Sequence, residues 1–309
     1  MRTRFRTGIA LAAIATTLSL TACGGDADVT KPAPADAREH TDDISNGVAV
    51  DRAAADLVPP DVRKSGKLVV AMDLSSPPTT FMASDNTTPI GFNPDIARLI
   101  AKKLGLQLDI KNVKFDTIIP GLDGGRYNLT VSGMSANEDR LKVLDMVFYF
   151  KNGSSIAVAH GNPKNLTNET LCGMSIAVQS GSVQELKRLP TLSEKTCESK
   201  GKPAIKPVSL PSVQDALTQV ASRRVDGVFY DTTSLNWADA QQPNTFQVLK
   251  PQVATADNAV ALGKGSALTP AVQAAIQSIM DSPKYTEALH RWGFDSLGID
   301  KASIATPQG

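Results

Sequence analysis

Lys67-Leu-Val-Val-Ala-Met72 is an unbroken apolar run that stops at Asp73 and the turn Pro77-Pro78. A short run without polar alternation is the pattern of a strand buried on both faces. The segments downstream of it set the architecture. Asn93 is a suitable N-cap with Pro94 at the first helical position, and Ile96, Leu99, Ile100, Lys103 and Leu104 recur at helical spacing up to Gly105. Leu106, Leu108 and Ile110 then alternate as a strand, Phe115 to Leu122 reads as a helix, and Asn128 to Val131 returns to strand. Strand, helix, strand, helix, strand in that order predicts an α/β fold with a parallel-rich sheet. The alternation restarts at Met174-Ser-Ile-Ala-Val178, passes a helix beginning near Ser182, and continues through Val213, Ala216, Leu217, Val220 and Ala221 at helical spacing. It ends in the strand Val225 to Tyr230. Two α/β units therefore stand in series. The strand at Ala259 to Leu262, the helix at Thr269-Pro270 and the helix from Tyr285 to Trp292 are too few for a third domain and must pack onto one of the two.

The amino terminus predicts an export signal. Arg2, Arg4 and Arg6 precede an apolar run from Gly8 to Leu20, too short for a comfortable membrane span, and the run ends at Leu20-Thr-Ala-Cys23. The segment resembles bacterial lipoprotein precursors, in which cleavage makes the residue at Cys23 the lipid-bearing amino terminus. Residues 1–22 are the expected signal peptide. From Gly24 to about Pro60 the chain is rich in Ala, Asp, Thr and Pro with no sustained period, so residues 23–60 read as a flexible tether. With Cys23 assigned to lipid, Cys172 and Cys197 remain, and outside the cytosol a disulfide between them is expected. A zinc site fits poorly, because no histidines cluster near that pair. A formal net charge of +1 with 20% charged residues gives no long-range field to attract nucleic acid.

In open α/β sheets ligands lie beyond the carboxyl ends of the strands, and Asp73, Ser132 to Ser135, Gln179 to Ser182 and Asp231 fall at such ends. The segment Ser132-Gly-Met-Ser-Ala-Asn-Glu-Asp-Arg140 runs from a strand into a helix capped by Ser135 or Asn137, with Glu138 and Asp139 in the first turn. Free backbone N–H groups gather there, and the planar fork of Arg140 suits a two-point carboxylate contact. The segment taken alone is equally an ordinary capped helix with a solvated arginine.

Gly66-Lys-Leu-Val-Val, Pro77-Pro78, Pro89-Ile-Gly-Phe-Asn-Pro-Asp-Ile-Ala, Ile118-Ile-Pro-Gly-Leu-Asp-Gly-Gly-Arg-Tyr, Ser132 to Arg140, Val178-Gln-Ser-Gly-Ser and Arg224-Val-Asp-Gly-Val-Phe-Tyr-Asp231 together carry a family resemblance. Over about Pro60 to Leu297 the chain resembles the amino-acid-binding proteins of ABC importers, bacterial solute-binding protein family 3. The Cys172 and Cys197 pair looks like a bridge common among actinobacterial members. The resemblance implies a two-lobed periplasmic-binding-protein-like fold of type II, each lobe a mixed sheet flanked by helices, joined by a two-strand hinge. Lobe one is expected at residues 61–150 plus 257–300, lobe two at 151–256, and a carboxyl-terminal tail at 301–309. The hinge crossings would fall near Phe148 to Gly153 and Ala254 to Asn258.

Carried over by position, Arg140 clamps the ligand's α-carboxylate with help from the N–H groups of Ser135 and Ser182, and Asp231 takes the α-ammonium. The Gly133 carbonyl and Ser135 hydroxyl join that shell, and Ser132, Gly181 and Tyr230 complete the expected ligand contacts. Ser76 and Thr79 stand where members usually carry aromatic rings, so only Phe115 of the usual sandwich remains and a gripped cationic side chain is less favoured. Asp73 pulls the other way, as the acid that reaches a basic or amide side chain in some members, and Gln179 offers an amide. A lipid-anchored protein that hands a free, polar amino acid to an ABC permease, as a monomer without cofactor or metal, is the expectation. A cyclohexadienyl dehydratase on the same fold, with Glu138 as an acid, is one rival, and a sensor read by a membrane receptor is another. His40, His160 and His290 adjoin none of these motifs, so no triad or metal cluster is visible.

Overall fold

A computed structural model describes residues 39–307, so the signal segment and Cys23 lie outside the described residues. The strands are β1 (Lys67–Met72), β2 (Ser75–Ser76), β3 (Thr80–Met82), β4 (Pro89–Ile90), β5 (Gln107–Asn112), β6 (Leu129–Ser135), β7 (Leu144–Ala159), β8 (Ser175–Gln179), β9 (Lys206–Leu210), β10 (Gly227–Asp231), β11 (Phe246–Val248) and β12 (Ala254–Gly263). The helices are α1 (Arg52–Asp56), α2 (Pro60–Ser65), α3 (Phe92–Leu104), α4 (Ile118–Asp123), α5 (Glu138–Val143), α6 (Leu189–Thr196), α7 (Val213–Ala221), α8 (Thr232–Gln241), α9 (Thr269–Met280) and α10 (Pro283–Arg291).

Nine strands form one mixed sheet in the order β5-β1-β6-β12-β7-β10-β8-β9, with β11 added to β7. β1 runs parallel to β5 and β6, and β8 runs parallel to β9 and β10. These two parallel groups are joined by β7 and β12, which pair antiparallel from Ala254 opposite Ser154 to Gly263 opposite Leu144. The register shifts between Asn258 and Ala259, where the two strands pass from one half to the other. Each half buries both faces of its own portion of sheet. Leu68, Val70, Leu129, Val131 and Val260 pack beneath α3, α9 and α10, whereas Ala71, Met134, Met146 and Ala261 pack with α4 on the opposite face. In the second half Ala177 and Val228 face α7, and Ile176, Val178 and Phe229 face α6. Cys172 and Cys197 are bonded, with Cα atoms 5.4 Å apart. On the chain-entropy model closing such a loop stabilises by about 3 kcal/mol.

Two local readings change. α3 starts at Phe92 with Gly91 before it, at a φ of 124°. A Cβ at Gly91 would lie 2.5 Å from the Thr79 carbonyl oxygen, which is why glycine stands there. Asn93 is therefore inside the helix and fully buried, its amide donating to Thr80 Oγ1 at 2.6 Å and its carbonyl accepting from Tyr149 Oη at 2.6 Å. α8, which begins directly after Asp231, carries almost no apolar period and went unread in the sequence.

The larger correction concerns the tether. Residues 39–60 are not flexible over their length, because they lie as a strap on the first half. Glu39 accepts from both the backbone N–H and the hydroxyl of Ser84, at 2.7 and 2.8 Å. Asp42 pairs with Arg291, whose Nε lies 3.4 Å from the buried Asp95. Ile44, Ala54 and Val58 are buried in the first-half core, and Asp51 caps α1 by accepting from the Ala54 N–H. Ile44 and Val58 contact the core from irregular chain and Ala54 from the five-residue α1, too short to show a period. Residues 301–307 also dock: Ile304 bridges Val147, and the Ser303 carbonyl accepts from Phe148 N–H at 3.0 Å. Ile44→Ala is expected to lower stability by about 2–4 kcal/mol in urea denaturation, where a free tether would show no change.

Candidate functional site

The carboxyl ends of β1, β6, β8 and β10 converge on the gap between the two halves. β6 delivers Ser132, Gly133 and Ser135, and α5 comes directly after it, capped by Asn137, whose Oδ1 accepts from the Arg140 N–H at 2.9 Å. That cap leaves Ser135 in the strand. Capping at Asn137 puts Arg140 one turn into α5 with its side chain turned back under β6, only 5% exposed. Nη1 donates to the Ser135 carbonyl at 2.8 Å, and Nη2 crosses the gap to the Gly181 carbonyl at 3.1 Å. Among the described residues no carboxylate lies within ion-pair distance of this guanidinium. Burial, then repulsion from Arg188, bring it down to about 10, with Asp231 acting the other way. It stays charged at neutral pH.

Asp231 ends β10 on the opposite wall. Its Oδ1 accepts from Gln184 Nε2 at 2.8 Å, and the same amide donates to Ser154 Oγ, which also bonds Arg188. Burial pushes the Asp231 carboxyl up to about 6, restrained by the Gln184 amide and the Arg188 and Arg140 guanidiniums. Gly133 has a φ of 64°, and a Cβ there would sit 3.7 Å from Asp231 Oδ2 and 3.3 Å from the Asn258 amide. A bare glycine keeps this approach open.

Between these charges lies a narrow cavity of about 10 Å3, lined by Phe115, Ser132, Gly133, Ser135, Arg140, Gln179, Ser182, Val183, Gln184, Tyr230 and Asp231. Most of the residues singled out from the sequence meet here. Three do not line it: Asp73, Ser76 and Gly181. Asp73 and Ser76 stand behind Gln179 and Tyr230. Gln179 Nε2 donates to Asp73 Oδ2 at 2.6 Å, Tyr230 Oη donates to Gln179 Oε1 at 3.0 Å, and Ser76 Oγ lies 2.8 Å from Tyr230 Oη. Burial raises the Asp73 carboxyl, with hydrogen bonds such as that from Gln179 opposing it. The Gly181 N–H is held by Glu185 Oε2, and the Ser182 N–H, read as a carboxylate donor, is taken by the Gln179 carbonyl at 3.1 Å. Thr79 is buried against the Ser76 carbonyl. Glu138 is exposed and lines no part of the cavity.

Sequence reasoning missed Val183, Gln184, Arg188 and Asn258. Asn258 comes from the crossing strand β12, and its side chain donates to the Gly133 carbonyl at 2.9 Å and accepts from the Ser135 hydroxyl at 3.0 Å. Gln184 and Arg188 lie on a π-helical turn, Gln184–Arg188, that leads into α6. No periodic signal marks such a turn.

The halves touch directly across the gap. Besides the bonds already given, Ser180 Oγ donates to Asp116 Oδ2 at 3.1 Å, Lys187 pairs with Asp139 at 2.5 Å, and the Phe81 and Trp237 rings are 6.1 Å apart.

The sequence profile of the bacterial extracellular solute-binding proteins, family 3, matches residues 68–295. The chain belongs to that family. Proteins of similar sequence include the arginine-binding protein ArgT of Corynebacterium glutamicum, 28% identical over 80% of this chain and 81% of its own. The probable ABC transporter arginine-binding protein ArtJ of Chlamydia trachomatis is 27% identical over 75% and 88%. Among solved structures, an ancestral arginine-binding protein bound to arginine aligns with a TM-score of 0.67 at 27% identity, covering 74% of this chain and 98% of that one. An ancestral arginine-binding protein bound to glutamine gives the same values. The fold is thus that of type II periplasmic binding proteins, and this family-3 chain is an extracytoplasmic solute-binding protein rather than an enzyme.

At Gly181 the backbone has a φ of 73°, and a Cβ would lie 3.0 Å from the Asp116 Cα of the opposite half. Gly181→Ala is expected to hold the halves apart, and an increased radius of gyration in small-angle X-ray scattering measures it. A radius equal to that of the parent protein would contradict this placement.

Proposed function

We propose that this family-3 protein captures a free, polar L-amino acid between its two lobes outside the cytoplasm and delivers it to the permease of an ABC importer. Lobe one is residues 61–150 with 257–300, carrying the strap and the carboxyl-terminal tail, and lobe two is residues 151–256. Lipid on Cys23 anchors the chain to the outer face of the membrane, and the protein works as a monomer. The observation that carries the reading is the buried Arg140 guanidinium, without a carboxylate partner among the described residues, facing Asp231 across the cavity.

A zwitterion leaving water needs both its charges paired, because an unpaired buried charge costs several kcal/mol. Arg140 has donors left after its two bonds to backbone carbonyls, and these take the α-carboxylate together with the Ser135 backbone. Asp231 takes the α-ammonium, helped by the Gly133 carbonyl, whose second lone pair is free of the Asn258 bond. Arg140 comes from one lobe and Asp231 from the other, so one small ligand bonds both at once. That differential contact is what favours closure about β7 and β12. The names of ArgT and ArtJ, and the arginine-bound and glutamine-bound relatives, support an amino acid as the ligand class.

Isothermal titration of ligand-stripped protein against free amino acids tests the reading. Arg140→Met and Asp231→Asn are each expected to weaken binding by at least about hundredfold, with little change in the far-ultraviolet circular dichroism. Unchanged affinity in either would contradict the role given to that residue. The pH dependence has a definite sign. Binding requires ionised Asp231, whose carboxyl in the ligand-free site sits at about 6. Affinity is therefore expected to be level above that value and to fall by up to about tenfold per pH unit below it, while Asp231→Asn flattens the profile.

A further inference from the structure

We propose that the side chain this site accepts is uncharged, so that asparagine, glutamine, serine or threonine bind while arginine and lysine are rejected. The proposal rests on the amino-acid reading above and narrows it against the names of the relatives.

Three groups could grip a cationic side chain here, and each is engaged by the protein itself. Asp73, the acid at the far end, is 7% exposed and does not line the cavity, because the Gln179 amide covers it at 2.6 Å. Ser76 supplies no ring, and its hydroxyl is bonded to Tyr230 Oη at 2.8 Å. Phe115, the remaining ring, has the Arg140 guanidinium carbon 5.8 Å from its centroid, a distance at which the ring already meets a cation.

The far wall is therefore a chain running Ser76, Tyr230, Gln179, Asp73, in which every link lies within hydrogen-bond distance. Tyr230 and Gln179 are the members that face the ligand. They present a phenol and an amide, groups that hydrogen-bond hydroxyls and amides and carry no charge.

Charge balance points the same way. Asp231 is the one carboxylate among the described residues that lines the cavity, and it is committed to the α-ammonium. Arg140 lines the same space, and Arg188 stands just behind it on Ser154. A ligand guanidinium would enter as a further cation with no uncovered carboxylate to meet it, and an unpaired charge in a closed site is costly. An amide or hydroxyl brings no such penalty.

The test is calorimetric titration of protein stripped of ligand by denaturation and refolding, using asparagine, glutamine, serine, threonine, arginine, lysine, aspartate and glutamate. The neutral four are expected to include the tightest binder, with arginine and lysine weaker by at least about hundredfold. Arginine binding as tightly as the best neutral amino acid would overturn this inference and leave the amino-acid reading standing. No heat with any amino acid, neutral, basic or acidic, would overturn both. Tyr230→Ala removes the phenol from the wall, and Gln179→Ala uncovers Asp73 by a separate route should the first variant not fold. Either is expected to shift the ratio of arginine to glutamine dissociation constants by about tenfold toward arginine, and an unchanged ratio in the folded variant would overturn the wall.

Discussion

The antiparallel pairing of β7 with β12 is the constraint on which the rest of this molecule depends. Each strand belongs to both halves, and their ladder is what makes one sheet out of two parallel groups. Among the described residues two chain crossings connect the halves there, so the apolar cores on either side remain separate and each half keeps its own packing. β12 also contributes chemistry at the crossing, since Asn258 holds the Gly133 carbonyl and the Ser135 hydroxyl from the side away from the cavity. The crossing strand thus bonds Gly133 and Ser135, two residues that line the cavity.

The electrostatics of the gap result from that arrangement. Arg140 and Asp231 are brought close by separate lobes and kept from forming an ion pair with each other. Arg140 leans on two carbonyls, and Asp231 leans on the Gln184 amide. Two opposite charges held apart in a desolvated space suit a zwitterion, whereas a direct ion pair would have left neither available. The far wall solves the companion problem of a buried acid differently, by tying Asp73 into a neutral hydrogen-bonded chain through Gln179 and Tyr230. A raised Asp73 carboxyl and a covered one are two consequences of the same burial.

Legibility in the sequence tracked periodicity. β1, α3, β5, β6, α7 and β10 have strong apolar patterns and sit within a few residues of where those patterns put them, because a strand buried on both faces or a helix with one buried face must repeat its apolar residues at a fixed period. The strap at residues 39–58 was misread as free chain because Ile44, Ala54 and Val58 reach the core from a path with no period. α8 escaped notice for a related reason, since it buries Thr232 and Ser234 along with Leu235 and Ala238 and so shows no apolar stripe. Within the site, strand ends identified Ser132 to Ser135, Gln179 and Asp231, but Gln184 on its π-helical turn and Asn258 on the crossing strand carried no local signal.

By itself the sequence determined the α/β class and placed Ser132 to Ser135, Gln179 and Asp231 at the ends of strands. Those come from local period and from side-chain chemistry, which are properties of neighbouring residues. The tertiary structure alone decided which polar groups are still available to a ligand. Asp73 and Ser76 read as ligand contacts, yet Gln179 and Tyr230, more than a hundred residues away in the chain, lie in front of them. Whether a polar group is offered or already satisfied depends on partners from the other lobe, and no local pattern encodes them.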